Sequence, residues 1–387
     1  MKLNIQSIYI TCALISGNLP LLVVGETSLV CYAVQLLFIF KHYNQIKGFL
    51  AFLILTMIIS FLMIFIYGVI DLSKDIFFLI SIIFGYLLCR VDTYNIYKIT
   101  LCLRYILIFL VFVACLQSLV PSSALIFDVL FTRYSLPSNL RGASSIFQEP
   151  SFYSFFVGVC FMIMWISVSL QKITKIDFII LIISLLLSRS SMFIIIAPFL
   201  FYAVDFDNKL KLIFALFSAY ALYVFSENIN IFRFLYVLEI MLSGEKIIDA
   251  SASSRLFYIV KDIKYMLSNY GLIIGFFGSY SSVMDSFYSF SVPNNFLYNP
   301  NLSGSLLGRY IVQFGLLIVV SLFFLIIVYT KKFGLSGLLF SIFFITLYLQ
   351  MIPTSFVISG FGVGVIIFNF KRLLVSDVYI MAQGARA

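Results

Sequence analysis

Apolar residues along this chain come in long unbroken blocks, separated by short polar or charged interruptions. A lipid-facing strand would alternate with a period of two, and none of the blocks does, so the pattern predicts helices. A helix needs roughly 20 apolar residues to cross a bilayer. By that measure the chain reads as about twelve spans, at residues 7–24, 28–41, 48–69, 76–90, 101–120, 150–170, 176–188, 190–204, 210–226, 305–330, 335–352 and 355–370. The first block resembles a signal-peptide core in length, but no small-residue cleavage site follows it and the pattern continues, so it is read as a helix.

The interruptions carry orientation. Lys41 and Lys47, Arg90 and Lys98, Lys172 and Lys175, Lys209 and Lys211, Lys331 and Lys332, then Lys371 and Arg372 fall in alternate loops. Short loops rich in lysine and arginine stay in the cytoplasm. The pattern therefore predicts both termini cytoplasmic, with residues 121–149 and 226–304 on the outer side as loops too long for simple connectors.

Composition agrees with this picture. Hydrophobic residues make up 63% of the 387 and charged residues only 11%, and the mean hydropathy is +1.11. A soluble domain could not hide so much apolar surface, so the fold class is an all-α polytopic integral membrane protein, residues 1–387 forming one membrane domain. The net charge of +9 is a topology signal and calls for no nucleic acid. Cysteines 12, 31, 89, 102, 115 and 160 lie in or at the ends of apolar blocks and read as packing residues, not a disulfide framework or metal site. The only histidine, His42, falls in a cytoplasmic loop, so histidine catalysis on the outer side is not expected. No internal repeat of the transporter kind is present.

The 226–304 loop balances five basic against six acidic residues, so it is not a general basic surface. Its RLFYIVKDIKYML stretch has apolar Leu256, Ile259, Val260, Ile263, Met266 and Leu267 at helix spacing, with Ser253 and Ser254 as N-caps. This predicts an amphipathic helix on the outer membrane face. Tyrosines 258, 265, 280, 288 and 298 could stack on sugar rings or form an interfacial aromatic belt.

Two short stretches concentrate charge and helix-end chemistry. In RGASSIFQEPSF, Arg141 to Phe152, the proline suits a first helical turn. Glu149 and Ser151 then flank a helix N-terminus, whose partial positive charge can receive an anion, and Gly142 lets the backbone turn beside Arg141. Arg141 could bind that anion or simply pair with Glu149 and pin the loop. In SLLLSRSSM, Arg189 separates two apolar segments each only roughly 20 Å long at 1.5 Å per residue. A hairpin that short stops below the surface of a core roughly 30 Å thick, which would recess Arg189 among protein or water. An arginine at that depth is a functional-site candidate, unless it snorkels to the interface.

Together, RGASSIFQEPSFYSFF and SLLLSRSSM resemble the R-G-x-x-x-E-P-S and S-R-S/T-G pair of the bacterial O-antigen and exopolysaccharide polymerases, the Wzy type. NPNLSGSLLGRYIVQFGLL is similar to the segment that leads from the large outer loop of those enzymes into their next span. The match runs from about residue 140 to about residue 320, and the usual glycine after the S-R pair is Ser191 here. The resemblance implies a GT-C-like helical bundle with a large periplasmic loop containing interfacial helices, seated in the bacterial inner membrane. It implies a metal-independent glycosyltransferase without cofactor, transferring the growing chain from undecaprenyl pyrophosphate to a new lipid-linked repeat. A chain-length-regulating co-polymerase and a flippase are its implied partners. By position, Arg141, Glu149 and Arg189 match motif residues, and Arg255 corresponds to the arginine of the large loop. Substrate contacts are expected at Gly142, Ser151, Tyr258 and Arg233, the last through an R-x10-G spacing with Gly244.

Guanidinium groups suit this chemistry, because they bind phosphate oxygens bidentately and stay charged. They would stabilise the charge that develops on the pyrophosphate leaving group. Glu149 could accept the acceptor hydroxyl's proton or orient an arginine. Two relatives in biosynthesis compete with this reading. A flippase would have short outer loops and charges inside the bundle. An O-antigen ligase carries a histidine in its large outer loop, and residues 226–304 contain none.

Overall fold

The structure, a computed structural model, describes residues 5–16, 23–24, 27–42, 44, 70–91, 95–120, 143–147, 150–188, 190, 192–204, 324, 326–328, 330–348 and 357–369. Nearly all of them are helical. The helices are α1 (Ile5–Ser16), α2 (Leu29–Lys41), α3 (Ile70–Val91), α4 (Asn95–Leu119), α5 (Pro150–Ser167), α6 (Lys175–Ser188), α7 (Met192–Ala203), α8 (Leu335–Tyr348) and α9 (Val357–Asn369). Lys98–Leu119 and Pro150–Ser167 are long and apolar enough to cross a membrane.

These helices begin and end where apolar blocks meet polar or breaking residues. The first block is the exception. It predicts a span over 7–24; α1 covers Ile5–Ser16, residues 17–22 lie outside the described residues, and Val23–Val24 pairs with Thr27–Ser28 as a small antiparallel ladder where helix was expected. The predicted spans 48–69 and 210–226 and the 226–304 loop lie outside the described residues.

Helix α5 is the hub. It is apolar on every face, with Tyr153 through Ile166 buried without interruption, as expected of a helix with neighbours all round. It packs against α4, α6, α7 and α8. Trp165 stacks on Phe161 at 5.4 Å and meets Phe340 of α8 edge-on at 5.8 Å. On another side α9 presses backbone to backbone on α3. Side chains added at Gly360 and Gly364 would meet the carbonyls of Phe78 and Ile82, so this spacing of small residues sets how close the helices approach.

Helix directions follow from paired contacts. Tyr32 stacks on Phe77 and Phe38 meets Phe84, so α2 and α3 run parallel. Helix α9 is parallel to α3 as well, since Gly360 lies on Phe78 and Phe368 on Tyr86. Arg104 pairs with Asp177 in the first turn of α6, while Gln117 and Leu187, near the ends of α4 and α6, both bond the Ala143–Phe147 segment, so α4 runs parallel to α6. Ile173 bridges Val204, and Tyr202 bonds Ser336, bringing the end of α7 and the start of α8 to the same place. These directions gather Lys41, Arg90, Lys98, Arg104, Lys172, Lys175 and Lys331, every lysine and arginine with a described side chain, at one end of the bundle. His42 is there too. Partial burial, with Lys41 beside it, holds its pKa below the usual histidine value.

Candidate functional site

The opposite end of the bundle is built from neutral polar groups. Helix α6 has 14 residues and α7 has 12, or about 21 and 18 Å at 1.5 Å per residue. Helix α5 has 18, or about 27 Å. The last residue of α6, Ser188, meets Ser154 of α5 through hydroxyls 2.8 Å apart. Ser154 is four residues into α5, so α6 stops about one turn, roughly 6 Å, short of the start of α5. The short hairpin expected around Arg189 is therefore matched by the lengths of these helices.

Ala143–Phe147 packs over this shortened helix. These residues are the end of the predicted 121–149 loop, but they are buried in the bundle, with Ser144 1% and Ser145 0% exposed. Irregular backbone can be buried only if its polar groups are satisfied. The Ala143 N–H donates to the Leu187 carbonyl at 2.9 Å, using an acceptor that the last turn of α6 leaves without an intrahelical donor. The Phe147 N–H closes a turn onto the Ser144 carbonyl.

Gln117, fully buried near the end of α4, grips Ser145 from both sides. Its Nε2 donates to the Ser145 carbonyl at 2.5 Å, and its Oε1 accepts from the Ser145 N–H at 2.9 Å. The Ser145 hydroxyl donates to the Leu110 carbonyl at 2.9 Å. Ser145 needs this support, because its φ of 55° lies in the left-handed region that an L side chain disfavours.

The helix ends here are capped by serines. Ser188 donates to the Leu185 carbonyl at 2.7 Å, and the Met192 N–H donates to Ser190 Oγ at 3.3 Å, so Ser190 caps α7. Pro150 opens α5, as its sequence context predicts. The N-termini of α5 and α7, both partly positive, thus face the same end. The Phe147 ring stacks on Tyr153 at 5.9 Å. The Tyr153 hydroxyl stands near Ser184, whose own hydroxyl donates to the Ile180 carbonyl. Ser144 Oγ has no partner among the described residues.

Of the residues expected from the sequence, Ser151 is described, half-buried in the first turn of α5 at this end. Arg141, Gly142, Glu149, Arg189, Arg233, Arg255 and Tyr258 lie outside the described residues. The structure joins the segments that flank two of them. Ala143, two positions after Arg141, is bonded to Leu187, two positions before Arg189. Among the described residues the cluster offers hydroxyls and an amide, which position and bind but do not exchange protons near neutral pH. No group of three or more His, Cys, Asp or Glu comes together among the described residues.

Gln117 and Ser154 have no assigned role in the sequence reading, and Ser188 enters it only as the serine of the S-R pair. A lone amide inside an apolar block was the available signal for Gln117, since buried polar groups in such blocks need partners. No protein-family model, curated protein or solved structure matches this chain.

Proposed function

We propose that this chain is a polytopic inner-membrane glycosyltransferase of the Wzy type. It joins oligosaccharide repeats carried on undecaprenyl pyrophosphate during O-antigen synthesis. In this reading the bundle is GT-C-like with about twelve spans. The basic end faces the cytoplasm, as do both termini, and the Ala143–Ser188 end faces the periplasm.

The observation that carries the proposal is the Ala143–Leu187 hydrogen bond, supported by the Ser154–Ser188 pair. The two stretches that resemble the polymerase motifs are distant in sequence, yet their neighbouring residues are in direct contact. Two residues of extended chain span at most about 7 Å. Arginines two positions outside such a bond can thus serve one pyrophosphate. The convergence of the basic residues on the other end supports the orientation, because it is independent of the motifs.

Arg141, Arg189 and Arg255 would grip the leaving pyrophosphate and stabilise its developing charge. Glu149 would orient an arginine or accept the acceptor hydroxyl's proton. The new glycosidic bond forms as the bond to pyrophosphate breaks, so undecaprenyl pyrophosphate is released for each repeat added.

Deleting the gene and resolving the lipopolysaccharide on a gel tests this. Loss of the ladder with a core-plus-one-repeat band retained is the expected result. Loss of every O-unit band would assign the chain to ligation or flipping instead.

A further inference from the structure

We infer that Gln117 is a positioning residue of this site. Its buried amide locks the Ala143–Phe147 segment, and through that segment holds the polar cluster at this end of the bundle in register. The inference rests on the polymerase reading for its functional half and on geometry alone for the clamp.

A primary amide is the one uncharged side-chain group that presents a donor and an acceptor side by side, as the N–H and C=O of a single residue require. Gln117 does so with Nε2 on the Ser145 carbonyl and Oε1 on the Ser145 N–H. Both bonds go to backbone, so they fix a peptide conformation and do not read the serine side chain. That conformation has a φ of 55°, which an unsupported serine would leave for an extended or helical one. The clamp sits on α4, a helix held along its length by α6 and, at its far end, by the Arg104–Asp177 pair. The segment is tied to α6 itself by the Ala143–Leu187 bond. Gln117 thus sets the segment from a rigid element, which is how a site on irregular backbone is kept in register.

The experiment compares wild type, Gln117→Leu, Gln117→Asn and Ser145→Gly as full chains in lipid nanodiscs. Amide exchange across 143–147 is read against exchange in α5, and polymerisation of lipid-linked repeats is measured per folded molecule. Gln117→Leu should raise exchange in the segment by about tenfold or more while α5 stays protected. It should also lower kcat by roughly tenfold or more with little change in KM, because a misplaced group is missed in the transition state. Gln117→Asn, one methylene too short, should behave alike and serves if the leucine variant does not accumulate. Ser145→Gly should keep most of the protection, since it loses the hydroxyl bond to the Leu110 carbonyl but retains both backbone bonds and prefers the left-handed conformation.

Unchanged exchange across 143–147 in the Gln117 variants would overturn the clamp. Raised exchange with an unchanged rate, in a protein whose Arg189→Lys variant is inactive, would overturn the positioning role and leave the polymerase reading intact. If the wild type itself makes no polymer, the polymerase reading fails, and the exchange result still decides the clamp.

Discussion

Arg104 and Asp177 form a forked pair inside the helical packing, with Nε on Oδ1 at 2.7 Å and Nη2 on Oδ2 at 3.0 Å. Thr174 adds a third bond at 2.7 Å and caps α6, accepting from the Asp177 N–H. The Asp177 side chain is 9% exposed and the Arg104 side chain 25%, so removing one partner strands a largely buried charge. Asp177→Asn should cost about 3 kcal/mol of stability, read as a lower unfolding midpoint in detergent. The double variant Arg104→Met with Asp177→Leu should lose much less, because no charge is left unpaired. On the proposed function, Arg141→Lys, Arg189→Lys and Arg255→Lys should each slow polymerisation on the order of a hundredfold at normal protein levels. Lysine keeps the charge but not the fork. Glu149→Gln should be nearly inactive if the carboxylate is a base and appreciably active if it orients an arginine. The candidate arginines come from short sequence patterns and lie outside the described residues. Gln117 and Asp177 are not legible, because their partners lie 28 and 73 residues away and no local spacing records the contact.

Helices α3 and α9 show what the elements demand of single residues. A Cβ at Gly364 would come within 2.8 Å of the Tyr86 backbone nitrogen and closer still to the Ile82 carbonyl. Backbone on a packed helix cannot yield, so Gly364→Ala should force the helices apart and lower the unfolding midpoint by an amount worth about 1–3 kcal/mol. Gly334 provides the contrast. It has a φ of 58° and a ψ of −133° but nothing within 4 Å, so Gly334→Ala should cost backbone strain alone, about 1–3 kcal/mol, without displacing a neighbour. Thermal unfolding of the two variants side by side measures both costs. Element positions were largely readable, as with the expected spans 176–188 and 190–204 against Lys175–Ser188 and Met192–Ala203. Polar residues bound those blocks sharply. The reading of 7–24 holds over the described part of α1 and fails at Val23–Val24, whose β-branched apolar side chains pair in a short ladder that hydropathy alone does not separate from a helix. It gives no sign that Ala143–Phe147, in the expected outer loop, is buried, because hydropathy cannot see that a serine-rich stretch has buried partners waiting for it.

At the scale of the whole molecule, the described basic residues converge on one end, and the serine-lined motif neighbours occupy the other. The proposed function reads that polarity as a membrane orientation. In a chain freed of its six native cysteines, an impermeant thiol reagent added outside should label a cysteine at Ser281 and not one at Ser376. The reverse pattern would put the proposed site on the wrong side of its substrate. The account stands most directly on one reaction. Purified chain in nanodiscs, supplied with undecaprenyl-pyrophosphate-linked repeats in the presence of EDTA, should yield products of two, three and more repeats. Undecaprenyl pyrophosphate should appear in step with each bond formed. Repeats that stay single under these conditions, or that lengthen only when magnesium or manganese is restored, would contradict the account.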